Sequence, residues 1–275
     1  MYNPAKNRQM EKSKLDQWVF RGYFSEYDKK LRLLASEMTA ETWNFDGQEE
    51  YSILRKYITY TFEKLRDEQK NITDDTKFEY IYECENCACF NTGLFDRNWQ
   101  QIYFYCEPNE PGRDQKWRFQ NFFNSYTITY KPIPANKLRR PNYFTNPADL
   151  IFNVNLSITP QWSHILDDSE NFNRLPESIR ILGKSTCQTI ILGAIERIRQ
   201  RAQANYKTIV PQWRKGKIQL LAPLFLTNEK VPDLALVMSL DDNGEKYIGH
   251  TCLTREMAYN NARLIARPDS DWLHP

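Results

Sequence analysis

The sequence predicts an α+β protein, in which two N-terminal helices pack on a curved, mostly antiparallel sheet that carries one long amphipathic helix and a short C-terminal helix. Three observations predict it. The apolar period changes from 3.6 to 2 near residue 77; hairpin-type connections dominate from there on; and a helical period returns near 186–204 and 254–265. Strands joined by turns, with helices segregated, fit an antiparallel α+β sheet better than βαβ units.

The elements follow in order. Residues 1–17 are polar and are expected to form a poorly ordered tail, leaving one domain over 18–275, with a helical annex at 18–75 and a sheet-containing core at 76–275. Two helices are expected at 27–38 and 50–68, with Asp46-Gly47 as the turn between them; Leu54, Ile58, Thr61, Phe62 and Leu65 form the apolar stripe of the second. Strands are expected where residues alternate: Phe78, Tyr80 and Tyr82; Gln101–Tyr105; Tyr126, Ile128 and Tyr130; and Leu150, Phe152, Val154 and Leu156. The stretch 157–185 is irregular. Ile191, Ala194, Ile195, Ile198 and Ala202 mark the apolar side of the long helix. Strands near 217–226, 234–240 and 246–253 follow, the last two joined at Asn243-Gly244, a strong hairpin signal. Thr254 is the expected N-cap of the last helix.

Composition narrows the function classes. Thirty-seven basic residues against 35 acidic ones leave a net charge of +2, which argues against a purely electrostatic nucleic-acid binder. Nine glycines in 275 residues leave little material for glycine-rich phosphate loops, whereas aromatics reach 14%. No apolar run is long enough to span a membrane, and the N-terminus has no apolar signal region. Six cysteines in such a chain read as reduced thiols, so a cytoplasmic location is expected.

Cys84-x-x-Cys87-x-Cys89 is half of a zinc site without a second close pair, and reads as small buried hydrophobes; no metal site is expected there. Gly183-Lys184-Ser185-Thr186 resembles the end of a phosphate loop, but Ser178 stands where its first glycine belongs, so Ser185 or Thr186 reads as an N-cap. Of the three histidines, His164 is the catalytic candidate, on an irregular segment close to Asp167 and Asp168, while His250 reads as a hydrogen-bonded sheet histidine.

Three polar groupings stand where packing does not ask for them: Asn91-Thr92-Gly93 at a strand-to-turn junction, Asn153 and Asn155 in alternation, and Tyr259-Asn260-Asn261 with Arg263, whose face Tyr259 shares. Basic and aromatic residues interleave around Lys116–Phe119 with Arg139–Phe144, and around Arg197–Arg201 with Tyr206-Lys207 and Trp213–Lys215. Such mixtures hold single strands or nucleotides, with cations on phosphate and rings on bases.

Several segments together resemble a bacterial family known as a domain of unknown function. They are Ala88-Cys89-Phe90-Asn91-Thr92-Gly93-Leu94; Asn205–Gln212; Gly216–Leu224; and the closing Met257-Ala258-Tyr259-Asn260-Asn261-Ala262-Arg263-Leu264-Ile265-Ala266-Arg267-Pro268-Asp269-Ser270-Asp271-Trp272-Leu273. Glu41-x-Trp43 and Ile53-Leu54-Arg55 extend the likeness from about residue 28 to the end. The resemblance implies RNA or nucleotides as partners, since members are often joined to RNA-binding modules; the short N-terminal stretch here is expected to hold none.

The leading expectation is therefore an RNA- or nucleotide-binding domain without a cofactor. Arg118, Arg140 and Lys207 would meet phosphate, Tyr206 or Tyr259 would stack, and Asn91, Thr92, Asn260, Asn261 and Arg263 would complete the ligand site. The alternative is an enzyme acting on nucleotides or RNA ends, with Asp149, Asp269 and Asp271 as carboxylates for a divalent metal. A second alternative is a protein-interaction scaffold with a contiguous apolar patch and no polar pocket.

Overall fold

The computed structural model describes residues 12–45, 47–72, 78–214, 216–270 and 272–275. Helices combine with two five-stranded sheets, the α+β class expected. The chain divides into two compact units, one ending at Pro141 and the other spanning Asn142–Pro275. In place of the one curved sheet expected there are two sheets, one in each unit. The reason lies in two segments read as strands. Thr127–Tyr130 is a 3-10 turn, held where Asn124 Oδ1 accepts from the Thr127 amide at 2.9 Å. Pro147–Leu150 is another, and beyond it Asn153 Oδ1 accepts from the Asn155 amide at 3.1 Å. Asparagine side chains that bond the backbone two or three residues on offer a turn in place of a ladder. The alternation in both segments therefore served burial of Ile128 and Phe152 without pairing.

In the first unit, α1 (Lys14–Trp18), α2 (Phe24–Glu37) and α3 (Ser52–Lys70) accompany β1 (Val19–Phe20), β2 (Ile81–Glu83), β3 (Ala88–Phe95), β4 (Gln101–Pro108) and β5 (Trp117–Asn124). α1 lies inside the expected tail, and there Ser13 Oγ accepts from the Asp16 amide at 3.1 Å. Asp46 of the expected turn lies outside the described residues. The strand order is β1-β5-β4-β3-β2, antiparallel except for the parallel β1–β5 pair. α3 buries the stripe Leu54, Ile58, Thr61, Phe62 and Leu65, and packs on β3. There Phe62 meets Phe90 with ring centroids 5.3 Å apart, and Phe90 stacks on Phe104 at 4.8 Å. Alternate residues face the other way, where Cys89, Tyr103 and Tyr105 are buried with Ile128, Ile133 and Leu138 of the segment after β5.

In the second unit, β6 (Ser157–Pro160) leads through a π-turn at Ser163–Asp167 and two short helices, α4 (Ser169–Phe172) and α5 (Glu177–Arg180), into α6 (Lys184–Ala204). β7 (Val210–Arg214), β8 (Lys217–Leu224), β9 (Leu234–Leu240), β10 (Lys246–Leu253) and α7 (Arg255–Ala262) complete it. The order is β6-β10-β9-β8-β7, with only β6–β10 parallel. α6 begins at Lys184 with Gly183 as its N-cap residue at φ 83°, so neither Ser185 nor Thr186 caps it. Its apolar side packs with Leu220, Ala222, Leu224, Leu236 and Met238. The alternate residues Leu221, Ala235 and Val237 are also buried, and α7 packs against β7, β9 and β10. Thr254 caps α7, accepting from the Met257 amide at 3.4 Å. Among the described residues no helix is long and apolar enough to cross a membrane.

Candidate functional site

The expected ligand residues fall in both units: Asn91, Thr92, Arg118 and Arg140 in the first, the other six in the second. In the first unit Asn91 and Thr92 serve the fold. β3 bulges between Asn91 and Phe95, and Gly93 turns it at φ 78°. Asn91 Oδ1 accepts from the Gly93 amide at 3.0 Å while its amide donates to Gln101 Oε1. Thr92 Oγ donates to the Ile102 carbonyl at 2.7 Å and accepts from the Leu94 amide at 3.2 Å. Both residues have no exposed surface, so no ligand reaches them. Strand alternation in β5 sends Trp117 and Phe119 into the core and Lys116 and Arg118 outward. Lys116 Nζ is 3.1 Å from Glu83 Oε2 and Arg118 Nη1 is 3.8 Å from Glu110 Oε1. The rings beside Arg118 are thus core, and no base can stack on them. Arg140 is exposed, with its guanidinium 5.1 Å from the Phe95 ring centroid.

Most of the α7 motif is likewise structural. Tyr259, Asn260 and Asn261 are buried. Asn261 Nδ2 donates to Gln212 Oε1 at 3.0 Å, and Gln212 Nε2 donates to Gln219 Oε1 at 3.1 Å, a chain of amides from α7 across β7 to β8. Asn260 Nδ2 donates to the Glu256 carbonyl at 2.8 Å, and its Oδ1 is buried without a hydrogen-bond partner. Arg263 is half-buried just past the helix end. The two poor helix formers divide the work: Asn261 connects the helix to the sheet, while Asn260 bonds back to its own helix.

Tyr206, Lys207 and Asp269, 63 residues apart at their extremes, do come together. Asn205 Oδ1 accepts from the Lys207 amide at 3.0 Å and holds a 3-10 turn over Tyr206–Thr208. The closing segment docks on that turn: Ser270 Oγ donates to the Lys207 carbonyl at 3.0 Å and Trp272 Nε1 to the Thr208 carbonyl at 2.8 Å. Lys207 Nζ lies 2.7 Å from Asp269 Oδ2. That hydrogen bond, then the charges of Lys207 and Arg267, hold the Asp269 carboxyl below its usual range. Here a pocket of about 200 Å³ has Ile209, Val210, Ala262 and Ile265 among its apolar lining, with Tyr206, Lys207, Arg267 and Asp269 along it. Tyr206 is 64% exposed. Spacing alone does not single out Arg267 or Ile265; their place in the closing motif was the signal.

The catalytic expectation at His164 finds no support in its neighbours. His164 is exposed in the π-turn, Asp167 Oδ1 takes the Lys184 ammonium at 2.7 Å, and Asp168 caps α4. A different histidine is placed instead. β10 bulges at His250, and its ring lies between Ser239 Oγ, 2.7 Å from Nε2, and Gln161 Oε1, 3.0 Å from Nδ1. The Gln161 carbonyl accepting from Nδ1–H fixes the tautomer whose Nε2 accepts from the Ser239 hydroxyl. Burial, then the charges of His164 and Lys217, hold the imidazole below its usual pKa and thus neutral. Ser239 and His250 stand on neighbouring strands and Gln161 just past β6, up to 89 residues away in sequence, which no spacing pattern records.

Of the metal candidates, Asp149 follows Asn146 in the 147–150 turn, Asp269 is paired with Lys207, and Asp271 lies outside the described residues. Among the described residues no three His, Cys, Asp or Glu side chains stand close enough to hold a metal ion.

The described residues thus define an α+β protein of two helix-backed sheets, with an aromatic, cation-rimmed pocket on the second. The chain belongs to the family described as a domain of unknown function (DUF3825), which matches it over residues 34–272. The Asn91 and α7 motifs both lie inside that match. No curated protein and no solved structure matches the chain.

Proposed function

We propose that this chain is a cytoplasmic RNA- or nucleotide-binding protein whose Tyr206 pocket takes a base and the phosphate beside it. One observation carries the reading: the exposed Tyr206 lines a largely apolar pocket together with Lys207, Arg267 and the Asp269 carboxylate on which both cations act. The ring offers a face to a base, the two cations offer charge to phosphate, and Asp269 offers an acceptor to a ribose hydroxyl or exocyclic amine. A polar rim around an apolar floor fits a small ligand better than it fits a scaffold's apolar patch. Neither a metal nor a cofactor is required by this chemistry.

Fluorescence anisotropy with short single-stranded RNA and with nucleoside phosphates, at graded salt, tests it. Binding that weakens as salt rises and is weaker in Tyr206→Ala is the expected result. Absence of salt-dependent binding to every RNA and nucleotide tried overturns the reading.

A further inference from the structure

Cys84 and Cys87 close the β2–β3 hairpin. Glu83 pairs with Ala88, so the two cysteines take the next opposed positions, and the Cys84 amide donates to the Cys87 carbonyl at 2.9 Å. Opposed hydrogen-bonded residues have Cα atoms about 5.5 Å apart, within the roughly 4.4–6.8 Å that a disulfide bridges. Their sulfurs lie 2.8 Å apart. The two thiols differ in access: Cys84 is half-buried at the turn, while Cys87 is fully buried against Tyr105 and Ile133. They also differ in acidity. Burial pushes Cys84 up, but hydrogen bonds from the Cys87 thiol, the Asn86 and Cys87 backbone and Tyr82 outweigh it and leave it below the ordinary thiol value. Burial and the Cys84 sulfur push Cys87 up to about 12. The remaining cysteines, Cys89, Cys106, Cys187 and Cys252, are buried.

We propose that Cys84 and Cys87 are a redox-active dithiol, Cys84 attacking and Cys87 resolving, whose substrates are small-molecule disulfides of the glutathione class. Cys84 gives up its proton, and its thiolate attacks one sulfur of the disulfide; the new bond joins Sγ of Cys84 to that sulfur, and the other half leaves as a thiolate that takes a proton. Cys87 then gives up its proton and attacks Sγ of Cys84, forming the Cys84–Cys87 bond and expelling the second small thiolate, which is protonated in turn. Two protein thiols are oxidised by two electrons, and one disulfide is reduced to two thiols. Exposure selects the first sulfur, since the thiolate must meet its target in solvent. A zinc site needs four ligands, of which this hairpin supplies two. The proposal is independent of the Tyr206 pocket.

The test equilibrates the full-length chain in buffers of graded reduced-to-oxidised glutathione, quenches with acid, unfolds the chain in denaturant, alkylates the free thiols and maps them by mass spectrometry. The peptide spanning Cys84 and Cys87 is expected to lose two hydrogens and both alkylation sites as the buffer becomes oxidising, with the other four cysteines still alkylated. Cys87→Ser is expected to trap a glutathione adduct on Cys84, and Cys84→Ser to leave Cys87 unreacted; circular dichroism checks that each variant is folded. Alkylation of both thiols at every ratio overturns the proposal. So does protection that zinc supplies and a chelator removes.

Discussion

The Tyr57 hydroxyl donates to the Thr92 carbonyl at 3.0 Å and stands 3.0 Å from the point where a Cβ on Gly93 would sit. The helix α3 and the bulge of β3 are thus in contact through a residue that has room for hydrogen only. At φ 78° a side chain is strained in any case, by about 1–3 kcal/mol. Gly93→Ala is expected to destabilise the chain by at least that much in urea unfolding. In the Tyr57→Phe background the added cost of Gly93→Ala is expected to be smaller, because the oxygen it would press on is gone.

The amide chain from Asn261 through Gln212 to Gln219 predicts a second stability effect. Asn261→Ala removes the donor and leaves Gln212 Oε1 buried, at a cost of about 1–3 kcal/mol. Urea unfolding measures it. An unchanged midpoint would mean that the amides are not coupled to folding.

His250 predicts a dependence on pH. Its folded pKa is depressed below the ordinary 6.5 by burial, then by the charges of His164 and Lys217. The unfolded chain therefore binds the proton first as pH falls. Stability contributed by the neutral ring is full above about 6.5 and is lost as pH falls from there through the folded value. His250→Gln is expected to flatten that part of the stability profile, measured by thermal unfolding between pH 7.5 and pH 5 at steps of about half a unit.

The pocket predicts a division of labour among the variants. Tyr206→Ala is expected to weaken RNA or nucleotide binding by about 1–3 kcal/mol, and Tyr206→Phe to preserve it, since the ring and not the hydroxyl stacks. Lys207→Gln is expected to reduce the salt dependence by about one ion and to let the Asp269 carboxyl rise toward 3.8, which NMR titration follows. Asn91→Ala is expected to lower stability while leaving affinity intact in the folded fraction, because Asn91 is sealed inside the β3 bulge.

Local chemistry is what the order of residues determined by itself. The stripe Leu54–Leu65 buries because its spacing places it on one helix face, Asn243-Gly244 turns a hairpin because these residues accept its backbone, and Thr254 caps α7 through its own hydroxyl. The α+β class and the Tyr206-Lys207 half of the pocket were legible for the same reason. Tertiary structure alone decided the rest. Alternation at 126–130 and 150–156 records which side chains are buried, and burial against a core without pairing leaves the same trace as a strand. That ambiguity hid the break between the two sheets. Asn91 and Asn261 looked available to a ligand because a sequence shows a polar group and not the partner that satisfies it. Asp269 against Lys207, Gln161 against His250 and Sγ of Cys84 against Sγ of Cys87 are relations that the strand registers and the docked closing segment create.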